Sequence, residues 1–223
     1  MAEDSVADTW DDLLCGASDA NPFQSFVWGE YKRLSGWMPS RYVARSNGGF
    51  PVGLMQVLVK QYFSGPRIIW IPGGLALNSS QSAISSMRLK LLAGLIEKLR
   101  NDFGICYIRF NFCTPNDPSF SFDLGRFFRR PIIKLTGGYS IIVDLNKNET
   151  EVVQGFSPKH RYYVKKALSH GVSWMNGNNS DLALHMATLM REMALKKNIN
   201  AICASYEEIA GLCRLGGKNV LIL

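Results

Sequence analysis

The sequence predicts a mixed α+β fold: one complete unit followed by an interrupted repeat of the same pattern. Segments of helical and of strand periodicity alternate along the 223 residues, and the order of the first part begins again after a turn-rich stretch at Thr114 to Ser121. A hydrophobic share of 47% against 19% charged residues supports a sizeable core and excludes a self-repelling, disordered chain. At roughly 150 residues per domain the length corresponds to about one and a half units, and the expected division is 1–137 and 138–223.

Val6 to Leu14 reads as a short helix with acids near its start. Pro22 breaks the chain, and Gln24 to Leu34 places Val27, Trp28, Tyr31 and Leu34 at helical spacing. Arg41 to Arg45 and Val52 to Gln61 read as strands joined at Asn47-Gly48-Gly49, a short-range hairpin signal. Arg67 to Ile71 is a third strand. Ser79 or Ser80 is expected to cap a long helix through Arg100, striped by Leu89, Leu92, Ile96 and Leu99, with Gly104 past its end. Tyr107 to Phe112 returns as a strand.

The second unit is expected to contain a strand at Ser140 to Leu145, a short helix at Glu149 to Phe156, and a capped helix from Ser157. A strand at Val172 to Met175 follows, then helices at Asp181 to Lys196 and Tyr206 to Leu215, and a strand at Val220 to Leu223. Native chains seldom end on an unpaired apolar edge. The terminal Val-Leu-Ile-Leu therefore reads as a truncation, against the alternative of a C-terminus docked into its own sheet.

Neither Phe50 to Val59 nor Ile68 to Leu77 approaches the ~20 apolar residues of a membrane-spanning helix. The N-terminus is acidic where a signal peptide is basic, so a cytoplasmic protein is expected. Cys15, Cys106, Cys113, Cys203 and Cys213 form no CxxC pair and are odd in number; buried free thiols are expected, with no disulfide framework. His160, His170 and His185 are too scattered for a metal site, and none is expected.

Charge is uneven. Residues 1–30 hold seven acids and no Lys or Arg, leaving 25 Lys+Arg against 11 Asp+Glu, or +14, in the remainder. Such a balance suits a polyanionic partner or serves solubility alone. It concentrates in the helix after Ser157, where Ser157 suits an N-cap, Pro158 the first position and Gly171 the stop. At about 100° per residue, Lys159, Arg161, Tyr162, Lys165 and Lys166 share one face without an acid. His160, Tyr163, Val164, Ala167 and Leu168 share the other, where His160 reads as a packed side chain. Like charges at i,i+4 destabilise a helix by roughly 0.2–0.5 kcal/mol. That cost points to an anionic ligand, the alternative being a solvated face.

No GxGxxG, GxxxxGK[ST] or GxSxG is present, and no cofactor is expected. Arg214-Leu215-Gly216-Gly217-Lys218 reads as a turn.

Gln24-Ser25-x-x-Trp28-Gly29-x-x-Lys32, Gly36-Trp37, Gly65-Pro66-Arg67, Val143-Asp144-Leu145, the helix from Ser157 to Ala167 and Gly171-Val172 occur in that order. Together they resemble the FemAB family of peptidoglycan bridge peptidyltransferases, the lipid II:glycine glycyltransferases. The resemblance implies tandem acetyltransferase-like (GNAT) domains, the second incomplete here. It also implies transfer of an amino acid from aminoacyl-tRNA to the stem-peptide amine of a lipid-linked or UDP-linked peptidoglycan precursor, with peripheral contact at the inner membrane face. Aminolysis of an ester needs positioning, a proton acceptor and oxyanion stabilisation, with no covalent nucleophile.

Lys32 matches the position that contacts the precursor's sugar-phosphate part in the family, and Lys165 and Lys166 match positions serving the same end. Lys159, Arg161, Tyr162 and Trp28 complete the expected substrate-binding set. The family's proton-transfer residues, a lysine included, are expected beyond Leu223. For Lys32 an exposed position on an amphipathic helix remains the alternative; for Trp28 and Trp37, core anchors; for Arg67, a turn clamp. Two other functions stay open. One is a GNAT-type N-acyltransferase using acyl-coenzyme A, for which no pyrophosphate loop is found. The other is a non-catalytic basic module binding RNA or anionic lipid.

Overall fold

The computed structural model describes residues 7–62, 65–77, 84–111, 123–125, 128–129, 143–144, 146–172, 175–198, 204–217 and 222. The chain runs through α1 (Ala7–Cys15), a 3-10 turn (Pro22–Gln24), α2 (Phe26–Arg33), β1 (Met38–Arg45), β2 (Pro51–Gln61), β3 (Arg67–Ile71) and β4 (Ala76–Leu77). It continues with α3 (Ile84–Phe103), β5 (Cys106–Phe110), α4 (Glu149–Gln154), α5 (Pro158–Ser169), α6 (Ser180–Lys196) and α7 (Tyr206–Gly216). Contacts divide it into two compact units, Met1–Phe128 with Gly177–Ile222, and Arg129–Asn176 with Leu223. This differs from the partition by chain order at 137/138, because α7 packs on α2.

In the first unit β1 and β2 pair antiparallel from Met38↔Val59 to Ala44↔Gly53, and the register shifts at Ala44/Arg45. The Asn-Gly-Gly tip closes as expected: the Ser46 N–H donates to Phe50 O at 2.8 Å, and Gly49 takes φ +82°, which glycine adopts freely. Antiparallel β3 and short β4 share the other edge of β2. β5 then pairs parallel with β3 from Arg67↔Cys106 to Ile71↔Phe110, and the crossover between them contains α3.

Because β2 is covered on both faces, it reads as an almost continuous apolar run. Met55, Val57 and Val59 join Ile69 and Ile71 against Leu92, Leu95 and Leu99 of α3. On the opposite face Leu54, Val43 and Ala76 pack with Trp10, Leu14 and Ala17 at α1. The buried line of α3 runs through Arg88, Leu92, Leu95 and Leu99; Leu89 and Ile96 are only half-buried, which shifts the expected stripe. The helix ends at Gly104, φ +68°. Its proposed cap at Ser79 or Ser80 lies outside the described residues.

In the same unit α6 and α7 enclose Ala183, Ile209, Cys213 and Ile222. The Arg214 segment, expected as a turn, supplies the last turn of α7, with Gly217 at φ +49° after it. Of the strand expected at Val220 to Leu223, the described Ile222 makes an isolated bridge with Gly177. The strand expected at Ser140 to Leu145 falls mostly outside the described residues. Val172 and Met175 are not in a strand, and 173–174 are outside. Cys213 is buried and Cys106 half-buried, and burial raises both thiol pKa values. Cys15 is exposed, contrary to expectation, because Trp10 and Leu14 take the core side of α1. Cys113 and Cys203 lie outside the described residues.

The second unit holds α4 and α5. Asn148 and Glu151 close a capping box on α4, while Ser157, Pro158 and Gly171 (φ +66°) bound α5 as expected.

Candidate functional site

The Gln24–Lys32 motif divides between side chains that hold α2 in place and side chains that α2 presents. Gln24 is fully buried: its Nε2 donates to Gln56 O at 3.2 Å and to Pro72 O, and its Oε1 accepts from the Gln56 N–H at 2.6 Å. Gln56 Nε2 donates to Ser25 O at 2.9 Å, and Gln56 Oε1 accepts from Arg41 Nε at 2.9 Å. Arg41 continues the chain, donating through Nη2 to Glu30 Oε1 at 3.0 Å and to Phe26 O at 3.2 Å. A buried network with every partner satisfied is rigid.

Gly29 belongs to the network by default. A Cβ there would stand 2.3 Å from Gln56 Oε1 and 2.7 Å from Arg41 Nη2, so only glycine lets α2 approach. Ser25 caps the helix, accepting from the Trp28 N–H at 3.2 Å.

Trp28 and Lys32, one turn apart, are presented. The Lys32 ammonium lies 4.7 Å from the Trp28 ring centroid and 4.5 Å from that of Tyr31, within cation–π range. Among the described residues no carboxylate comes within 4.0 Å of it, and the buried Trp28 Nε1 has no acceptor. Burial lowers the Lys32 pKa, against an opposing effect of Glu208 on α7. Phe23 meets Trp28 edge-on at 5.0 Å. Trp28 is thus both a half-buried anchor and the wall of a cation site. Such an ammonium, partly stripped of water and, among the described residues, with no carboxylate within 4.0 Å, is chemically suited to a phosphate.

Next to it, Lys60 Nζ donates to Ser35 O at 2.7 Å beside the Trp37 ring, and Trp37 meets Trp70 at 5.7 Å. Trp70 Nε1 donates to Asn111 Oδ1 at 3.3 Å. Tyr31, Lys60, Trp70 and Asn111 carry no site signal in the sequence. Tyr31 was hidden by its apolar spacing, and the others meet only through the sheet register. Arg67 is a clamp, its Nη1 donating to Phe103 O at 2.9 Å at the end of α3.

On α5, in the second unit, Lys159, Tyr162, Lys165 and Lys166 are exposed, and among the described residues no carboxylate lies within 4.0 Å of the lysines. Arg161 departs from that set: its Nη1 donates to Gln154 O and Phe156 O, both at 2.9 Å, which fastens the end of α4 to the start of α5. The opposite half is not packed as expected. Tyr163, Val164 and Leu168 are exposed, and so is His160, whose Nδ1 lies 2.8 Å from the capping Ser157 Oγ. Tyr162 and Tyr163 meet edge-on at 5.6 Å.

Fold and site together define a mixed α/β chain with a β3–α3–β5 crossover and a cation site at the end of α2. A solved structure that it matches over almost its whole length is that of FemX: TM-score 0.74 at 17% identity, covering 96% of this chain and 55% of that one, which establishes the fold. This chain spans about half the length of FemX. Two lower-scoring likenesses, a probable acetyltransferase (TM-score 0.37, 10% identity, 65% and 99% coverage) and a transcriptional regulator from Bacillus halodurans C-125 (0.39, 16%, 61% and 97%), add nothing to that. No protein-family model and no curated protein sequence matches the chain.

Proposed function

We propose that the chain is part of an aminoacyltransferase of peptidoglycan bridge formation, built on tandem GNAT-like domains. Its substrates are aminoacyl-tRNA and a lipid-linked or UDP-linked precursor, both cytoplasmic-side molecules, with the membrane's inner face nearby. The observation that carries this reading is the half-buried Lys32 ammonium, walled by Trp28 and Tyr31 and, among the described residues, with no carboxylate within 4.0 Å, at a family motif position in a FemX-like fold.

In the reaction the stem-peptide amine attacks the ester carbonyl. The new C–N bond forms, the bond to the tRNA ribose oxygen breaks, and the proton lost by the amine leaves with the ribose hydroxyl. Lys32 supplies none of this chemistry: it holds the precursor's phosphate by charge-assisted hydrogen bonds while the amine is positioned. Lys159, Lys165 and Lys166 add positive potential for a polyanion, and Tyr162 an exposed ring.

Incubation of a full-length protein that contains the chain, with charged tRNA and a lipid-linked muropeptide, is expected to add the mass of one amino acid to the muropeptide. Binding of the UDP-linked precursor is expected to weaken in Lys32→Met. Absence of both product and precursor binding overturns the assignment. Exposure of the acid-free α5 face favours a second reading, a basic RNA- or lipid-binding module, for which RNA binding without transfer would be the outcome.

A further inference from the structure

Glu208 lies outside every motif above, yet it stands beside the cation site. It is the third residue of α7: its Oε2 accepts from the Ser205 N–H at 3.0 Å, while Ser205 Oγ accepts from the Glu208 N–H at 3.2 Å. With its other oxygen Glu208 reaches across to α2, Oε1 accepting from Ser35 Oγ at 3.3 Å. Ser35 is three residues beyond Lys32, so the carboxylate is fixed next to the turn that carries the ammonium. Gly211 lies at the contact between the helices: a Cβ there would stand 2.5 Å from Leu34 Cδ1.

We propose that Glu208 is a positioning residue for Lys32: pinned by Ser205 and Ser35 beside the last turn of α2, it holds the ammonium over the Trp28 and Tyr31 rings until an anionic ligand binds. The proposal rests on the phosphate-binding reading of Lys32. The surrounding groups leave this task to Glu208. On α2, Glu30 is engaged by Arg33 and Arg41. Lys60 of β2 is tied to Ser35 O, Glu207 of α7 is exposed, and Tyr31 is neutral, its pKa raised by burial and by Glu208. Burial pushes Lys32 towards its neutral form, and Glu208 pushes the other way. A carboxylate beside a phosphate site also repels the ligand, so removing it has two opposed effects that pH separates.

The test follows the lysine side-chain NMR signal of Lys32, assigned by its loss in Lys32→Arg, together with pyrophosphate binding across the pH range. In Glu208→Gln, which retains acceptors for Ser205 and Ser35, the Lys32 titration is expected to move to lower pH. Pyrophosphate then binds more tightly than to wild type near neutrality and about threefold or more weakly in alkali, so the two curves cross. Glu208→Asp restores the wild-type direction, and Ser35→Ala, which leaves the α7 cap intact, gives a smaller shift of the same sign. An unchanged Lys32 titration in both Glu208→Gln and Ser35→Ala overturns the proposal, as does uniform weakening at every pH, the mark of a merely structural role. Should the titration move as expected while wild type fails to bind pyrophosphate, the pairing stands and the phosphate reading falls.

Discussion

Lys32 on α2 and the lysine pair Lys165 and Lys166 on α5 are the same kind of side chain held in opposite ways. Below α2 lies the Gln24–Gln56–Arg41–Glu30 network, and the Lys32 ammonium sits over two aromatic rings near a carboxylate pinned by Ser35. The α5 lysines stand in water on a helix fixed by its caps and by Arg161. A cation on a rigid, half-dry support meets a ligand at a defined point with little ordering entropy left to lose. Cations on a wet helix contribute mainly field, which salt screens.

The largest effect that would break this contrast is expected at Gly29. Gly29→Ala forces a methyl group into the Gln56–Arg41 contact and is expected to cost about 3 kcal/mol in urea unfolding; a loss below about 1 kcal/mol would show that the support yields. Lys32→Met is expected to leave stability unchanged or slightly raised, while weakening pyrophosphate binding by about ten- to a hundredfold, read by calorimetry.

Glu30 tests the network through pH. Burial alone would raise its carboxyl pKa, but the hydrogen bonds from Arg33 and Arg41 hold it below the ordinary 4.5. A carboxyl lowered by folding contributes stability above its unfolded-state pKa that disappears as pH falls through the folded value. Glu30→Gln should therefore flatten the acid limb of the stability curve, by about 1 kcal/mol.

The smallest effects belong to α5. Arg161→Ala loses two bonds to backbone carbonyls, a local cost of about 1 kcal/mol visible in amide exchange of Gln154 to Arg161. Lys165→Ala with Lys166→Ala should leave unfolding within about 0.5 kcal/mol of wild type. The same pair of changes should reduce the salt slope of RNA binding by about 1 to 2. An equal slope would mean that the face is only solvated.

What the sequence makes legible here is mostly local. The Asn47-Gly48-Gly49 turn, the Ser157-Pro158 start of α5 and its Gly171 stop are set by neighbours within a few residues, and the structure follows them. Lys32 and Trp28 could be named from their spacing. Why Gln24 and Gly29 stand in the same motif could not, because both answer to Gln56 on a strand 32 and 27 positions away. The sequence places Arg161 among the ligand-facing cations by charge, and the structure adds two carbonyl contacts for its Nη1 that helical periodicity does not reveal. The Ser205-x-x-Glu208 capping box is readable as a helix start, but its second task appears only once α7 lies on α2.

The Ser35–Glu208 bond joins residues 173 positions apart. During synthesis at roughly 5–20 residues per second, α2 emerges on the order of ten seconds or more before the helix that covers its end. For that interval Leu34 and the Lys32 turn face the ribosome's surroundings uncovered, while the β1–β2 hairpin can already close. The cation site is therefore among the last parts of the first unit to be completed, and a chain arrested before α7 would carry the network of α2 without the carboxylate that steadies its lysine.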